Sequence, residues 1–333
     1  MKITLVQPAK PKPKGVEAEK HWQLTRPFSL FFLASSLEQK TEYAVQIIDM
    51  EQRRYDGKSL EEIFANNKSQ IFGITATTYT RFEAIKVAKC IKKLHPDSLV
   101  VVGGVHFMYC PEDTLQRVPE IDVVVRGEGE ITIVELANAY NQGTDFEEIR
   151  GITYRRNGKI IHNPDQTIFE NLDNLPIYTN FNYDEYPEFL FGYPQPIRAI
   201  SVMTSRGCPY RCVFCSKAGT KYRTRNAKSV VDEIESLKNR FEIEGINFVD
   251  LTFTANTRHV KAVCQEMIDR DINLKWWCES RANIPIELLD LMKRAGCASI
   301  ALGIESGSPR ILSRIGKDIS IGQAIKFCKK CND

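Results

Sequence analysis

Short apolar runs separated by longer amphipathic segments set the rhythm of the first 150 residues. Ile3 to Val6 stops at Pro8, and Tyr43 to Ile48 ends at Asp49. Ile71 to Ile74 leads into the small polar loop Thr75 to Thr78, and Leu99 to Val102 ends in Gly103 and Gly104. Ile121 to Val125 ends in Arg126 and Gly127. Between these runs, Phe82 to Leu94 and Thr132 to Tyr140 carry helical spacing. Continuous β-branched runs of this length read as strands buried on both faces, and their alternation with helices makes the sheet parallel. The pattern predicts a doubly wound α/β domain, Rossmann-like or flavodoxin-like, with five strands over residues 1–150.

The rhythm changes after that point. Gly151 to Tyr154 and Lys159 to His162 flank Asn157-Gly158, a strong hairpin signal. Residues 171–196 are rich in Pro, Asn and Tyr, so 151–196 is expected to be a hairpin followed by an ordered linker. From 197 to 333 the alternation returns. Strands are predicted at Arg198–Met203, Ile246–Asp250, Leu274–Cys278 and Ser299–Gly303. Helices are predicted at Ser229–Phe241, Thr257–Asp269 and Ile286–Ala295, with a last one starting near Ile321. That makes about four βα units in the second domain.

Composition narrows the class. The 333 residues are 43% hydrophobic and 26% charged, which suits globular domains. A net charge of +3 gives no electrostatic reason to expect nucleic acid as a partner. Phe28 to Leu33, the most apolar stretch near the start, falls far short of the ~20 residues of a membrane span. The opening MKITLVQP has no signal-peptide character, so a cytoplasmic location is the default expectation. Ten cysteines are many for a reducing compartment, where clustered thiols point to metal binding or catalysis. Most of the scattered ones read as small buried hydrophobes, and Cys328-Lys-Lys-Cys331 is a weak signal at the end of the last helix.

Three cysteines stand apart. Cys208, Cys212 and Cys215 sit at i, i+4 and i+7 directly after a strand. Thiolates are the usual ligands of iron–sulfur clusters. A [4Fe-4S] cubane held by three of them keeps one iron without a protein ligand. Such an iron can chelate an amine and carboxylate, such as the methionine moiety of S-adenosylmethionine. A structural zinc site remains an alternative if a distant fourth ligand folds in, and inert thiols are a second. An electron carrier fits less well, because carriers close every iron.

CxxxCxxC after the first strand of a βα series resembles the radical S-adenosylmethionine superfamily, and Gly207, Pro209 and the aromatic Phe214 fit that loop. Asp250 to Thr254, Cys278-Glu279-Ser280-Arg281 and Gly303 to Gly307 resemble the ends of the family's second, third and fourth strands. The second acid usual after Asp250 is replaced by Leu251. The resemblance implies that Phe214 lies near the adenine, that Glu279 and Arg281 reach the charged end of S-adenosylmethionine, and that Glu305 contacts its ribose or amino group. The preceding doubly wound domain, with MKITLVQP, VVGGVHF and VVVRGEGEITIVEL, resembles that of the cobalamin-dependent branch. Thr75, Thr77, Gly103, Gly104, Gly127 and Glu128, at the strands' carboxyl ends, are then the candidate cobalamin contacts. His106 reads as a loop residue and not a cobalt ligand, because no Asp-x-His-x-x-Gly is present.

The family implies a small-molecule substrate, an external electron donor of flavodoxin or ferredoxin type, and methyl transfer to, or cyclisation of, an unactivated carbon. Family barrels usually have six βα units. The four counted here suggest a truncated C-terminus, completion by a second polypeptide, or an inactive fragment that binds corrinoid or cluster without turnover.

Overall fold

The computed structural model describes residues 1–11, 27–177, 188–217 and 220–332. They form two compact units, Met1–Phe169 with Leu175–Tyr186, and Glu170–Asn174 with Pro187–Asp333.

Five parallel strands make the centre of the first unit: β1 (Lys2–Gln7), β2 (Ala44–Asp49), β3 (Ile71–Thr75), β4 (Leu99–Gly103) and β5 (Val123–Val125). Their order is β2-β1-β3-β4-β5, the flavodoxin-like arrangement expected from the sequence. The register pairs Ile3 with both Val45 and Ile71. The valine run of β4 shows why alternation was absent from the sequence. Val101 faces the core beneath α1 (Phe28–Lys40) and α5 (Glu130–Gln142), and Val100 and Val102 face the opposite core beneath α2 (Leu60–Phe64), α3 (Arg81–Leu94) and α4 (Pro111–Arg117). Helix α3 buries Ala84, Val87, Ala88 and Ile91, the i, i+3, i+4, i+7 stripe that predicted it.

The boundary expected at 150 lies later. The hairpin β6 (Ile152–Arg156) and β7 (Lys159–His162) does not open a linker, because β6 pairs antiparallel with β5 and extends the sheet to seven strands. Asn157 and Gly158 turn it with φ of 49° and 74°, the left-handed pair that an Asn-Gly turn supplies. Pairing covers the edge that β5 would otherwise expose. Of the expected linker, residues 178–187 lie outside the described residues.

In the second unit, β9 (Arg198–Val202), β12 (Gly245–Phe248), β13 (Lys275–Ser280) and β14 (Cys297–Leu302) run parallel, and the short β8 (Glu188–Phe189) pairs antiparallel with β9. The order is β14-β13-β12-β9-β8. Helices α6 (Ala227–Phe241), α7 (Thr257–Asp269), α8 (Glu287–Arg294), α9 (Pro309–Arg314) and α10 (Ile321–Asn332) follow the four parallel strands, so the four expected βα units are present. Buried Trp276 contacts Phe248 and Phe253 edge-on or tilted and donates its indole N–H to Ala295 O at 2.8 Å. Among the described residues, no helix is long and apolar enough to cross a membrane.

Candidate functional site

The cysteine loop leaves the carboxyl end of β9 inside a two-stranded ribbon, β10 (Ser205–Cys208) against β11 (Thr220–Thr224). Gly207 makes the ribbon possible. Its φ is +82°, and a Cβ there would stand 2.0 Å from Lys221 O. A buried carboxylate anchors the ribbon's start. Asp250, just beyond β12, accepts from Thr204 N at 3.2 Å, from Thr204 Oγ1 at 2.9 Å and from Ser205 Oγ. Burial pushes the Asp250 carboxyl up to about 6. The Thr204 hydroxyl has one proton, given to Asp250, so His259 Nε2 at 2.9 Å is the donor to it. Burial holds His259 down at about 4, which keeps the ring neutral for that role.

The loop presents its three thiols unequally: Cys212 is buried, Cys208 intermediate and Cys215 exposed. Cys215 N donates to Cys212 O at 3.0 Å, and Lys217 N approaches Cys215 Sγ at 3.4 Å. Arg281, following β13, donates from Nη1 to Cys212 Sγ at 3.2 Å and lies 4.1 Å from the Tyr210 ring centroid. Its Nε and Nη2 are buried and have no partner among the described residues. Among the described residues, no three His, Cys, Asp or Glu side chains are grouped to hold a single metal ion. A cubane, a multi-atom body, asks for ligands set wider apart than one ion does. Three soft sulfur donors, one of them met by a buried guanidinium, fit an anionic iron–sulfur group.

The other expected residues gather on the same carboxyl edge. Phe214 is 57% exposed. Near it lies Lys317 Nζ, 5.9 Å from the ring centroid, which pairs with Glu305 Oε1 at 2.9 Å. Glu305 adopts φ +68°. Glu279 is exposed at the surface, yet partial desolvation and then Glu305 raise its carboxyl. Lys317 was missed in the sequence. It sits in the segment after α9, where Ile315 O accepts from Val213 N at 3.2 Å and so ties that segment to the cysteine loop. A lone lysine in a polar stretch carries no spacing signal that could have found it.

In the first unit, the loops after β3 and β4 close on each other. Ala76 N donates to Gly103 O at 3.1 Å, and His106 N to Ala76 O at 3.2 Å. Gly104 (φ +86°) is demanded by the chain itself, since a Cβ would lie 2.7 Å from Ala76 O and 2.8 Å from Thr75 Oγ1. Gly103 is not so constrained; its nearest atom would be 3.7 Å away. Thr77 is exposed, and its hydroxyl lies 3.3 Å from Thr80 Oγ1 at the entry of α3, a local use the sequence did not reveal. His106 turns Nδ1 to Thr78 Oγ1 at 3.3 Å and Nε2 to Cys110 Sγ at 3.8 Å. Gly127 (φ +77°) faces open space, with Glu128 beside it. Tyr79 and Tyr109, both more than half exposed, stand in these same loops. Open glycine backbone and exposed rings at the carboxyl edge fit a large planar ligand with a polar arm.

Comparison with known proteins agrees with this arrangement. Residues 23–137 match the B12 binding domain family, and residues 202–333 match the radical SAM superfamily. An uncharacterised methyltransferase of Pyrococcus horikoshii is 37% identical over 309 residues, covering 91% of this chain and 66% of the relative. An anaerobic magnesium-protoporphyrin IX monomethyl ester cyclase of Rubrivivax gelatinosus is 29% identical, covering 93% of this chain and 56% of the relative. The chain thus spans less than two thirds of the length of the curated relatives it matches. The fold is shared with the solved radical S-adenosylmethionine methyltransferase TsrM of Kitasatospora setae, at a TM-score of 0.78, 24% identity, and coverage of 99% of this chain and 65% of that one. With both domains in this order and relatives of this kind along nearly its whole length, the chain belongs to the cobalamin-dependent radical S-adenosylmethionine enzymes.

Proposed function

We propose that the chain is the cofactor-binding part of a radical enzyme that transfers a methyl group to an unactivated carbon of a small molecule. Cys208, Cys212 and Cys215 hold a [4Fe-4S] cluster, and the first unit holds cobalamin through Thr75, Thr77, Gly103, Gly104, Gly127 and Glu128. The observation that carries the reading is the thiol loop itself, braced by its ribbon and touched by the buried Arg281 guanidinium. When bound and reduced, a cluster of this kind cleaves S-adenosylmethionine and supplies a 5′-deoxyadenosyl radical.

The chain's own residues have separate tasks in this reading. Phe214 covers the adenine, Glu305 takes the ribose or amino group while Lys317 fixes its carboxylate, and Glu279 and the spare donors of Arg281 face the charged end. The exposed Cys215, Val213 and Phe214 leave the loop open to an external flavodoxin or ferredoxin. The half-exposed edge strand β14 is where a further strand, of this protein or of a second polypeptide, would pair. Ten free thiols suit the reducing cytoplasm. Methyl transfer is preferred to cyclisation because the 37% identical relative is named a methyltransferase.

Anaerobic reconstitution followed by reductant and S-adenosylmethionine should release 5′-deoxyadenosine. Cys212→Ala should hold no cluster, and a persistent cluster would refute the ligand assignment. Retention of hydroxocobalamin by the full chain tests the first unit, and none retained would remove that assignment.

A further inference from the structure

We propose that Arg281 sets the reduction potential of the cluster through a charge-assisted hydrogen bond to the Cys212 sulfur. The proposal rests on the cluster reading above and adds a residue that tunes it. Arg281 is 3% exposed. Its Nη1 reaches Cys212 Sγ at 3.2 Å, and its guanidinium lies over Tyr210, two residues earlier in the same loop. No carboxylate neutralises it among the described residues, and two of its donor atoms are buried without a partner. A buried guanidinium in that condition is costly unless an anion meets it. Among the described residues, the side chain brought to hydrogen-bond distance of the guanidinium is the Cys212 sulfur, which as a cluster ligand is a thiolate. Arginine stays protonated throughout the working pH range, so its charge is permanent.

Reduction of a cluster adds one negative charge. A fixed cation at a ligand sulfur, in a site shielded from water, favours the more negative state. Hydrogen bonds to cluster sulfurs and burial are recognised levers on the potential. Arg281 applies the first of these, and its guanidinium lies against the Tyr210 ring, which fixes its plane. Arg281 thus acts on the cluster through Cys212, separately from the cofactor contact proposed above for its spare donors, and the test omits S-adenosylmethionine for that reason.

The test is a potentiometric titration of the reconstituted full chain without S-adenosylmethionine, reading the reduced cluster by electron paramagnetic resonance. At a fixed ambient potential, Arg281→Met should lower the ratio of reduced to oxidised cluster at least tenfold, which for a one-electron couple is about 59 mV. Arg281→Lys, which keeps the charge, should return within about threefold of the wild type. An Arg281→Met protein with full iron and an unchanged ratio overturns the proposal. Should that variant not retain iron, Arg281→Lys and Arg281→Gln decide, and equal ratios for those two overturn it. Iron content and the visible spectrum of the wild type report the cluster reading separately.

Discussion

Replacing His259 by Gln should expose an opposition between two buried titrations. Asp250 titrates near 6 in the folded chain against an ordinary 3.8. The folded state therefore holds that proton more tightly, and the stability it contributes at low pH is lost as pH rises from about 3.8 to about 6. His259 titrates near 4 against an ordinary 6.5, so its contribution runs the other way and grows as pH rises from about 4 to about 6.5. At about 1.36 kcal/mol per pH unit, each amounts to roughly 3 kcal/mol, and the two nearly cancel. Gln can still donate to Thr204 but does not titrate. The difference in unfolding free energy, wild type minus variant, should grow by about 2 kcal/mol between pH 4.5 and 6.5. Urea unfolding followed by tryptophan fluorescence measures it, because Trp276 is fully buried in this unit. Parallel pH profiles would refute the reasoning.

Four further substitutions probe the two sites. Gly207→Ala drives a Cβ into Lys221 O and should cut iron per chain severalfold after reconstitution; full loading would contradict the role given to the ribbon. Gly104→Ala pries the β3 and β4 loops apart and should weaken hydroxocobalamin retention at least tenfold. Gly127→Ala meets no atom of the chain and carries the left-handed backbone cost of about 1–2 kcal/mol, so a loss of corrinoid retention with stability lowered by no more than that reports its contact with the ligand, and full retention would remove Gly127 from the cobalamin contacts. Lys317→Met removes the partner of Glu305 and should weaken binding of S-adenosylhomocysteine about fivefold by equilibrium dialysis, whereas unchanged affinity would detach Glu305 from the cofactor.

The long apolar runs were legible because burial on both faces of a parallel sheet leaves no polar positions to mask them. The i, i+4, i+7 thiols were legible because few other structures need that spacing. The ribbon of Ser205–Cys208 and Thr220–Thr224 was not legible, since its strands are short and polar and are held by Asp250 from a distant strand. Nor was the place of the Asn157-Gly158 hairpin, because a turn signal announces two strands without saying which neighbour they join. Arg281 was placed at the right edge, but its contact with Cys212 bridges 69 positions in the chain and leaves no local pattern.

The graded burial of the three thiols carries a consequence for upkeep. Oxidants and alkylating agents reach sulfur in proportion to its exposure. Air should therefore attack at Cys215 first, while Cys212 stays sheltered beneath Arg281. Damage would begin at the outermost ligand and leave the inner anchor intact, so that repair requires only fresh iron, sulfide and a reductant, with no unfolding of the sheet behind.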